Sequence, residues 1–597
     1  MSTPVSLLRR LTPCTYPKRL PRVSYPSLSS LPHSLSRTRF KAHKNLYSTQ
    51  TVLEAQKPYY ITTPIFYVNA VPHIGHLHSA VLADTFKRFQ ELKGRKAILS
   101  TGTDEHGLKI QQAAQQAGMK EIELCDKVSQ HFRDLFDAAN ISYTTYIRTT
   151  EPRHAVAVKE LWDQLWARGY IYKGQHEGWY SVSDEAYYPS TQVEEMINEK
   201  TGAKYHIATE TGKQVEWTTE ENYKFKLSAF TDKLTEWLDQ NPEGKCQCGV
   251  PLATAILPKG RHQEVQGWLK SGLADLSISR PKSRLTWGIP VPGDDSHVMY
   301  VWMDALTNYL TITGYPWKDL SKEVRAVSGW PADAQIVGKD ILRFHAVYWP
   351  AFLMAAELAL PKTIIAHAHW TQSKLKMSKS IGNVVDPFTA MKEFGTDAIR
   401  FYLMNDGGLA DDADYSSEMV TARYRKSLAG QLGNLLSRST SAALNPSSLI
   451  PSAPETENLH PDDMLLREKM QRLQSTVDEA LSEYRTTQAT HAIFDMLAEA
   501  NSHFSHAEPW KLVKDPAKKD RLDVVLWHTM EAVRLSALML QPIMPSKTSE
   551  ILDQLDIRKD ERSWEFAKLG RGWETEREKR RVVIGGPPMF PPLNTKK

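Results

Sequence analysis

Cysteine is scarce in this chain of 597 residues. It has four (Cys14, Cys125, Cys246 and Cys248), which excludes a disulfide framework. Cys246-Gln247-Cys248 offers two thiolates where a tetrahedral zinc site needs four ligands, and His262 adds a third at most. No structural zinc or other bound metal is therefore expected. Long apolar runs are also missing. None approaches the ~20 residues that cross a bilayer, so no membrane partner is expected. Acids are absent from residues 1–50, which hold nine Lys or Arg (Arg9, Arg10, Lys18, Arg19, Arg22, Arg37, Arg39, Lys41, Lys44). The same segment lacks the apolar stretch of about 7–15 residues that a secretory signal requires. Basic, acid-free and rich in Ser, Pro and Leu, it has the composition of a mitochondrial transit peptide; a chloroplast address and a basic RNA-holding tail are the alternatives. Those nine cations exceed the chain's formal charge of +5, so the remainder is slightly acidic. Binding to nucleic acid would then rest on local basic patches.

What is present suggests three or four domains, by length alone. Tyr59–Thr63 is β-branched and aromatic and reads as a buried strand. From His78 to Leu92, Val81, Leu82, Phe86 and Phe89 recur at helical spacing, and Ala97–Ser100 reads as the next parallel strand. This predicts a βαβ unit whose first turn holds His73-Ile74-Gly75-His76, the usual place for phosphate in a doubly wound sheet. Residues 173–290 change to a Thr-, Glu-, Tyr- and Lys-rich composition and read as a small inserted domain. The sheet is expected to resume at Val298–Trp302, then at Ala334–Gly338 and Thr363–His367. Beyond 416, Leu and Ile at three and four spacing predict a helical bundle. No fixed-period repeat is evident.

Two segments carry the chemistry. In His73-Ile74-Gly75-His76, two imidazoles bracket a glycine, so backbone can approach a phosphate or adenine while both rings donate hydrogen bonds. In Lys376-Met377-Ser378-Lys379-Ser380, two lysines on a loop can neutralise charge that grows on phosphate. Together they suit attack at the α-phosphate of a nucleoside triphosphate.

The pair resembles the signature of class I aminoacyl-tRNA synthetases. Tyr60-Ile61-Thr62-Thr63-Pro64-Ile65-Phe66-Tyr67-Val68-Asn69-Ala70, Thr101–Gly107, Tyr300–Ala305 and Val337–His345 resemble the methionyl-tRNA synthetase family, from about Tyr59 to Asp406. The resemblance implies a Rossmann-type doubly wound parallel sheet split by an insertion and followed by an α-helical anticodon-binding bundle. It implies that L-methionine reacts with Mg2+-bound ATP to give methionyl-adenylate and pyrophosphate, and is then passed to the 3′-terminal adenosine of tRNA(Met). His73, His76, Lys376 and Lys379 would be catalytic. Gly75, Gly338, Asp340 and Ser378 would join them around ATP. The same resemblance places Ile65, Tyr67, Trp302, Ala305, Leu306, Tyr309, Ile341 and His345 around the thioether and gives Asp104 the substrate ammonium. Anticodon contacts would fall to Asn434, Arg438 and Trp510.

The implied organisation is a presequence over 1–50, sheet halves over 57–172 and 291–415, an insertion over 173–290, a helical domain over 416–575 and an extended tail over 576–597. Many relatives carry zinc-binding cysteine pairs in the insertion, but Tyr180–Asp184 stands where a first cysteine is expected. A zinc-free insertion and, with no extra module after the bundle, a monomer in the mitochondrial matrix are expected. Leucyl, isoleucyl and valyl enzymes would need a far larger insertion, and a cysteinyl enzyme pocket cysteines. The rival outside the enzymes is a catalytically silent, synthetase-like RNA-binding protein.

Overall fold

A computed structural model describes residues 57–182, 186–188, 190–198, 202–209, 211–240, 255–317, 328–377, 382–572 and 580–593. The expected presequence, Cys246, Cys248, Ser378 and Lys379 lie outside the described residues.

The main sheet is parallel and seven-stranded. Its centre is β1 (Tyr59–Thr62), whose Tyr59 to Thr62 pair with Ala97 to Ser100 of β3 (Ala97–Asp104). On the other side, Ile61 and Thr62 pair with Ala334 and Gln335 of the strand Ala334–Gly338. That strand is followed outward by Ile364–His367 and then Ile256–Leu257. At the opposite edge, β2 (Phe66–Tyr67) and β4 (Thr145–Arg148) both pair with β3. The central strands are buried along most of their length, polar residues such as Thr101, Thr103 and Gln335 included, as helices on both faces of a parallel sheet demand. Consecutive connections leave β1 in one direction and return on the other, so a switch point forms at its carboxyl end.

Helix α1 spans Ile74–Leu92 and begins inside the histidine motif, four residues earlier than the apolar spacing predicts. The reason is local. The His73 ring accepts from the Gly75 N–H, and the His76 ring accepts from the His73 N–H, so the motif caps its own helix. α2 (Leu108–Ala117), α3 (Glu121–Ala138) and α4 (Pro152–Ala167) follow.

Residues Val298–Trp302 do not resume the parallel sheet. Asp294–Met299 is an antiparallel strand of a separate three-stranded sheet, and a helix starts at Val301. This helix, Val301–Thr311, carries Trp302, Ala305, Leu306 and Tyr309, four of the residues expected around the thioether, and is termed the pocket helix for that expectation. The β-branched run thus reads as strand locally, but Tyr300 turns the chain and the three- and four-residue spacing of 302, 305, 306 and 309 wins. The insertion is mainly a six-stranded sheet in which Ile171–Ser181 pairs antiparallel with Gln214–Phe225.

Helices Pro461–Ser482, Thr486–Ala507 and Lys519–Leu540 dominate the later part of the chain. A ten-residue π-helical stretch, Tyr424–Gly433, leads into Asn434–Ser439. One apolar cluster runs from α1 and Ile336 of the sheet through Phe401 into Leu466, Leu497 and Val533 of the bundle. Arg400 fastens the same junction. Fully buried, it pairs with Asp84 of α1 at 2.6 Å and donates to the carbonyls of Pro542 and Ile543.

Candidate active site

The amino end of α1 opens at the carboxyl edge of the sheet, where the helix dipole favours an anion. His73 Nδ1 lies 3.1 Å from the Gly75 amide, and His76 Nδ1 lies 3.1 Å from the His73 amide. Backbone N–H groups donate into both rings, so each imidazole carries its proton on Nε2. The two rings lie 3.8 Å apart between centroids, and His76 is held edge-on by Phe66 and Phe132. Gly75 leaves no room for a side chain, since a Cβ there would meet the His73 ring at 2.9 Å.

Across β1, Gly338 ends the strand Ala334–Gly338 and Asp340 follows it. A Cβ on Gly338 would meet Asp340 Oδ1 at 2.6 Å, so the glycine lets that carboxylate fold back. Surrounding atoms disfavour the Asp340 charge, but the hydrogen bond from His369 and the charges of His369 and Lys376 hold the carboxyl far below its usual range. His369 Nε2 is 3.2 Å away. Asp412 braces this edge, binding Lys339 Nζ at 2.6 Å and the His369 amide at 2.9 Å. Lys376 is exposed on the short strand Leu375–Lys376. Ser378 and Lys379, beyond it, are outside the described residues.

Asp104 ends β3 and is buried. Tyr67, at the end of β2, donates to the His106 carbonyl at 3.0 Å. On the pocket helix, Tyr309 is fully buried and 2.8 Å from His345 Nε2. His345 Nδ1 donates to the Ile341 carbonyl at 2.9 Å, so Nε2 accepts the Tyr309 proton. Burial pulls His345 down to about 4, which keeps it neutral, and pushes the Tyr309 phenol up. The pair is a neutral, rigid wall. Trp302 stacks on Phe344 with centroids 3.6 Å apart, and its edge faces His345. Phe344 opens a π-helical turn, Phe344–Tyr348, that sets His345 against Tyr309. Ala305 and Leu306 are buried on the pocket helix, and Ile65 and Ile341 are half-buried at the ends of β1 and Ala334–Gly338.

The expected anticodon residues lie in the helical part. Asn434 and Arg438 sit one turn apart on Asn434–Ser439. Trp510, 44% exposed, lies in the short helix Pro509–Leu512. Phe504 joins them, with the Arg438 guanidinium 5.8 Å from its ring and the Trp510 ring 6.5 Å away.

Sequence reasoning missed several members of this constellation. His106 and Asp304 lie inside the quoted motifs and were given no role. Phe344 lies inside a quoted motif too, whereas His369 and Asp412 stand outside all of them. His154 comes from α4 with no local signal at all. Among the described residues, no group of three or more His, Cys, Asp or Glu is arranged to hold a metal ion.

Comparison with known proteins fits this geometry. A family model described as class I tRNA synthetases (M) matches residues 59–440, and one described as the anticodon binding domain of methionyl tRNA ligase matches residues 453–571. The probable mitochondrial methionine–tRNA ligase of Neurospora crassa is 44% identical over 523 residues, 86% of this chain and 82% of that protein. The human mitochondrial methionine–tRNA ligase is 44% identical over 520 residues, 84% of this chain and 85% of its own. Among solved structures, Mycobacterium tuberculosis methionyl-tRNA synthetase in complex with methionyl-adenylate superposes with a TM-score of 0.81 at 39% identity, covering 90% of this chain and all of that one. Matched from the central sheet to the last long helices, the chain belongs to the methionyl-tRNA synthetase family of class I aminoacyl-tRNA synthetases.

Proposed function

We propose that this protein activates L-methionine with ATP and transfers it to the 3′-terminal adenosine of tRNA(Met) for translation in the mitochondrial matrix. The observation that carries the reading is the self-capped amino end of α1, which offers two Nε2–H donors at the sheet edge that also bears Asp104 and the aromatic wall. The methionine carboxylate, ionised at neutral pH, attacks the α-phosphorus directly and needs no general base. Catalysis is therefore positioning plus charge stabilisation. His73 and His76 donate to the transferring phosphate. Lys376 and Lys379 neutralise the departing pyrophosphate, which travels with Mg2+, and Ser378 joins them on the loop. Gly75 admits the adenine, Asp340 accepts from the ribose hydroxyls, and Gly338 gives that carboxylate its place.

Asp104 takes the substrate ammonium through a charge-assisted bond. The thioether lies among Ile65, Tyr67, Trp302, Ala305, Leu306, Tyr309, Ile341 and His345. The Tyr309 proton is already given to His345, so sulfur meets ring edges, which suit its polarizability. Arg438 and Trp510 supply a charge and a stacking face for an unstacked anticodon base, with Asn434 one turn away. Relatives bearing a mitochondrial name and the acid-free start of the chain support import, and we propose that the working unit is a monomer.

The test is ATP–pyrophosphate exchange driven by methionine, leucine, isoleucine, valine or cysteine. Exchange with methionine alone supports the proposal. Folded protein that binds tRNA and exchanges with none of the five would replace it with the silent RNA-binding reading.

A further inference from the structure

Three buried side chains outside the expected pocket tie its two walls together. His106 lies two residues beyond Asp104 and is 8% exposed, while Asp304 sits between Trp302 and Ala305 and is 1% exposed. His106 Nδ1 donates to Asp304 Oδ2 at 2.6 Å. From α4, His154 Nε2 donates to the other oxygen at 2.8 Å, and its Nδ1 is 2.9 Å from Thr311 Oγ1 on the last turn of the pocket helix. Tyr67 completes the connection through its bond to the His106 carbonyl. One carboxylate thus joins the end of β3, the pocket helix and α4.

The charges around it are matched. Burial alone would push the Asp304 carboxyl up, but the charge and hydrogen bonds of His106 and His154 bring it down to about 2. Burial pulls His106 down, and Asp304 with Glu105 more than reverses this, so His106 titrates above its usual value. Glu105 is itself held by Arg148 at 2.7 Å and by the Thr103 and Thr150 hydroxyls. The groups facing His106 are therefore Asp304 from the pocket helix, with His154 of α4 on its other oxygen, Glu105 next to it in the chain, and the Trp287 ring at 5.5 Å.

We propose that His106 and Asp304, braced by His154, form a clasp that fixes the spacing between Asp104 and the Trp302–Ala305–Tyr309 wall, and so sets the affinity for the amino acid without touching it. His106 is a positioning residue in this account, which rests on the assignment of Asp104 and that wall to methionine. Asp304 shares one helical turn with Trp302 and Ala305, so a shift of the clasp moves the wall directly. The nucleotide side, built on α1 and Gly338–Asp340, has no contact with the clasp among the described hydrogen bonds.

The experiment uses the full-length chain and measures methionine-dependent ATP–pyrophosphate exchange in His106→Leu, His106→Asn and Asp104→Asn. Asparagine places an N–H where Nδ1 stands but cannot titrate. His106→Leu should raise KM for methionine about tenfold or more, the scale of one lost charge-assisted hydrogen bond, and change KM for ATP by less than about twofold. His106→Asn, a neutral donor like deprotonated His106, should restore only part of the loss. In the parent protein, KM for methionine should rise as pH climbs through the raised His106 pKa, because the charged form is lost above it; His106→Asn should lack that rise. An unchanged KM in His106→Leu, equal rises for methionine and ATP, or no recovery in His106→Asn would overturn the clasp. If His106→Leu does not fold, the pH profile decides, and an alkaline rise that persists in His106→Asn overturns it. Asp104→Asn separates the two levels. An unchanged KM there sinks the pocket assignment itself, whereas a large effect there with none at His106 sinks only the clasp.

Discussion

The α/β and helical parts of this molecule both bury charge, but they use it differently. In the helical part, buried ions fasten helices to one another. Asp463 accepts from His503 Nε2 and Arg521 Nη1, both at 2.5 Å, joining three helices, and the Glu531–Arg534 pair within one helix holds the segment Phe566–Gly570 through its carbonyls and the Gly570 amide. In the α/β part, Asp104, Glu105, His106, Asp304 and His345 gather at the carboxyl ends of the strands. The cause is topological. A parallel sheet ends every strand at one edge, so loops from distant sequence converge and can share a pocket. A bundle has no such edge, and what it offers a partner is exposed at a helix end, as Arg438 and Trp510 are. On the proposed function, this difference puts small-molecule chemistry in one part and macromolecular selection in the other.

The sharpest break of that division is His76→Ala. Removing one donor to a developing phosphate charge should lower kcat for ATP–pyrophosphate exchange about a hundredfold to a thousandfold. A stopped exchange assay on the purified variant measures it, and melting temperature should stay near that of the parent.

Asp84→Asn attacks the seam between the parts. It leaves the Arg400 guanidinium buried opposite a neutral amide, with Arg88 and Ser142 also losing their carboxylate partner. Breaking a buried pair by removing one charge costs about 3 kcal/mol or more. Denaturant unfolding followed by both fluorescence and circular dichroism should show a lower midpoint.

Trp510→Ala sharpens the comparison from the other side. Loss of one base-stacking surface should raise KM for tRNA roughly fivefold to a hundredfold. Methionine-dependent exchange should change by less than about twofold, the scale of surface substitutions remote from a site.

The last expected effect is acid sensitivity common to both parts. Burial brings His345, on the α/β side, and His528, in the bundle, to about 4. Both folded values lie below the unfolded value, so the unfolded chain takes up protons first as pH falls. Stability should be flat above about 6.5 and fall by about 1 kcal/mol per pH unit for each histidine between there and 4. Melting curves from pH 7.5 to 5 would show this limb, and His528→Gln should make it shallower.

Much of the α/β fold was legible because its signals are local. The strands at Tyr59, Ala97 and Ala334 are β-branched runs bounded by turn residues, and α1 carries its apolar face at helical spacing. The start of α1 was hidden because its cap is made by histidines, which cap helices far less often than Ser, Thr, Asp or Asn. The pocket helix was hidden because Val298 to Trp302 is a β-branched and aromatic run that serves a strand and a helix in turn. The residues expected around the nucleotide and the thioether rest on the histidine and lysine segments and on the family resemblance, and the structure brings Tyr309 to His345 and His73 to His76 in direct contact. Their partners were beyond reach for a different reason. His154 meets Asp304 across 150 positions, and Asp412 meets Lys339 across 73, distances at which sequence carries no register.

The most direct test of the division of labour is one paired measurement, His76→Ala and Trp510→Ala each assayed for methionine-dependent ATP–pyrophosphate exchange and for charging of tRNA(Met). The account predicts that His76→Ala loses both activities, while Trp510→Ala keeps exchange and loses charging at limiting tRNA. Equal loss of exchange in the two variants, with both proteins folded, would contradict it.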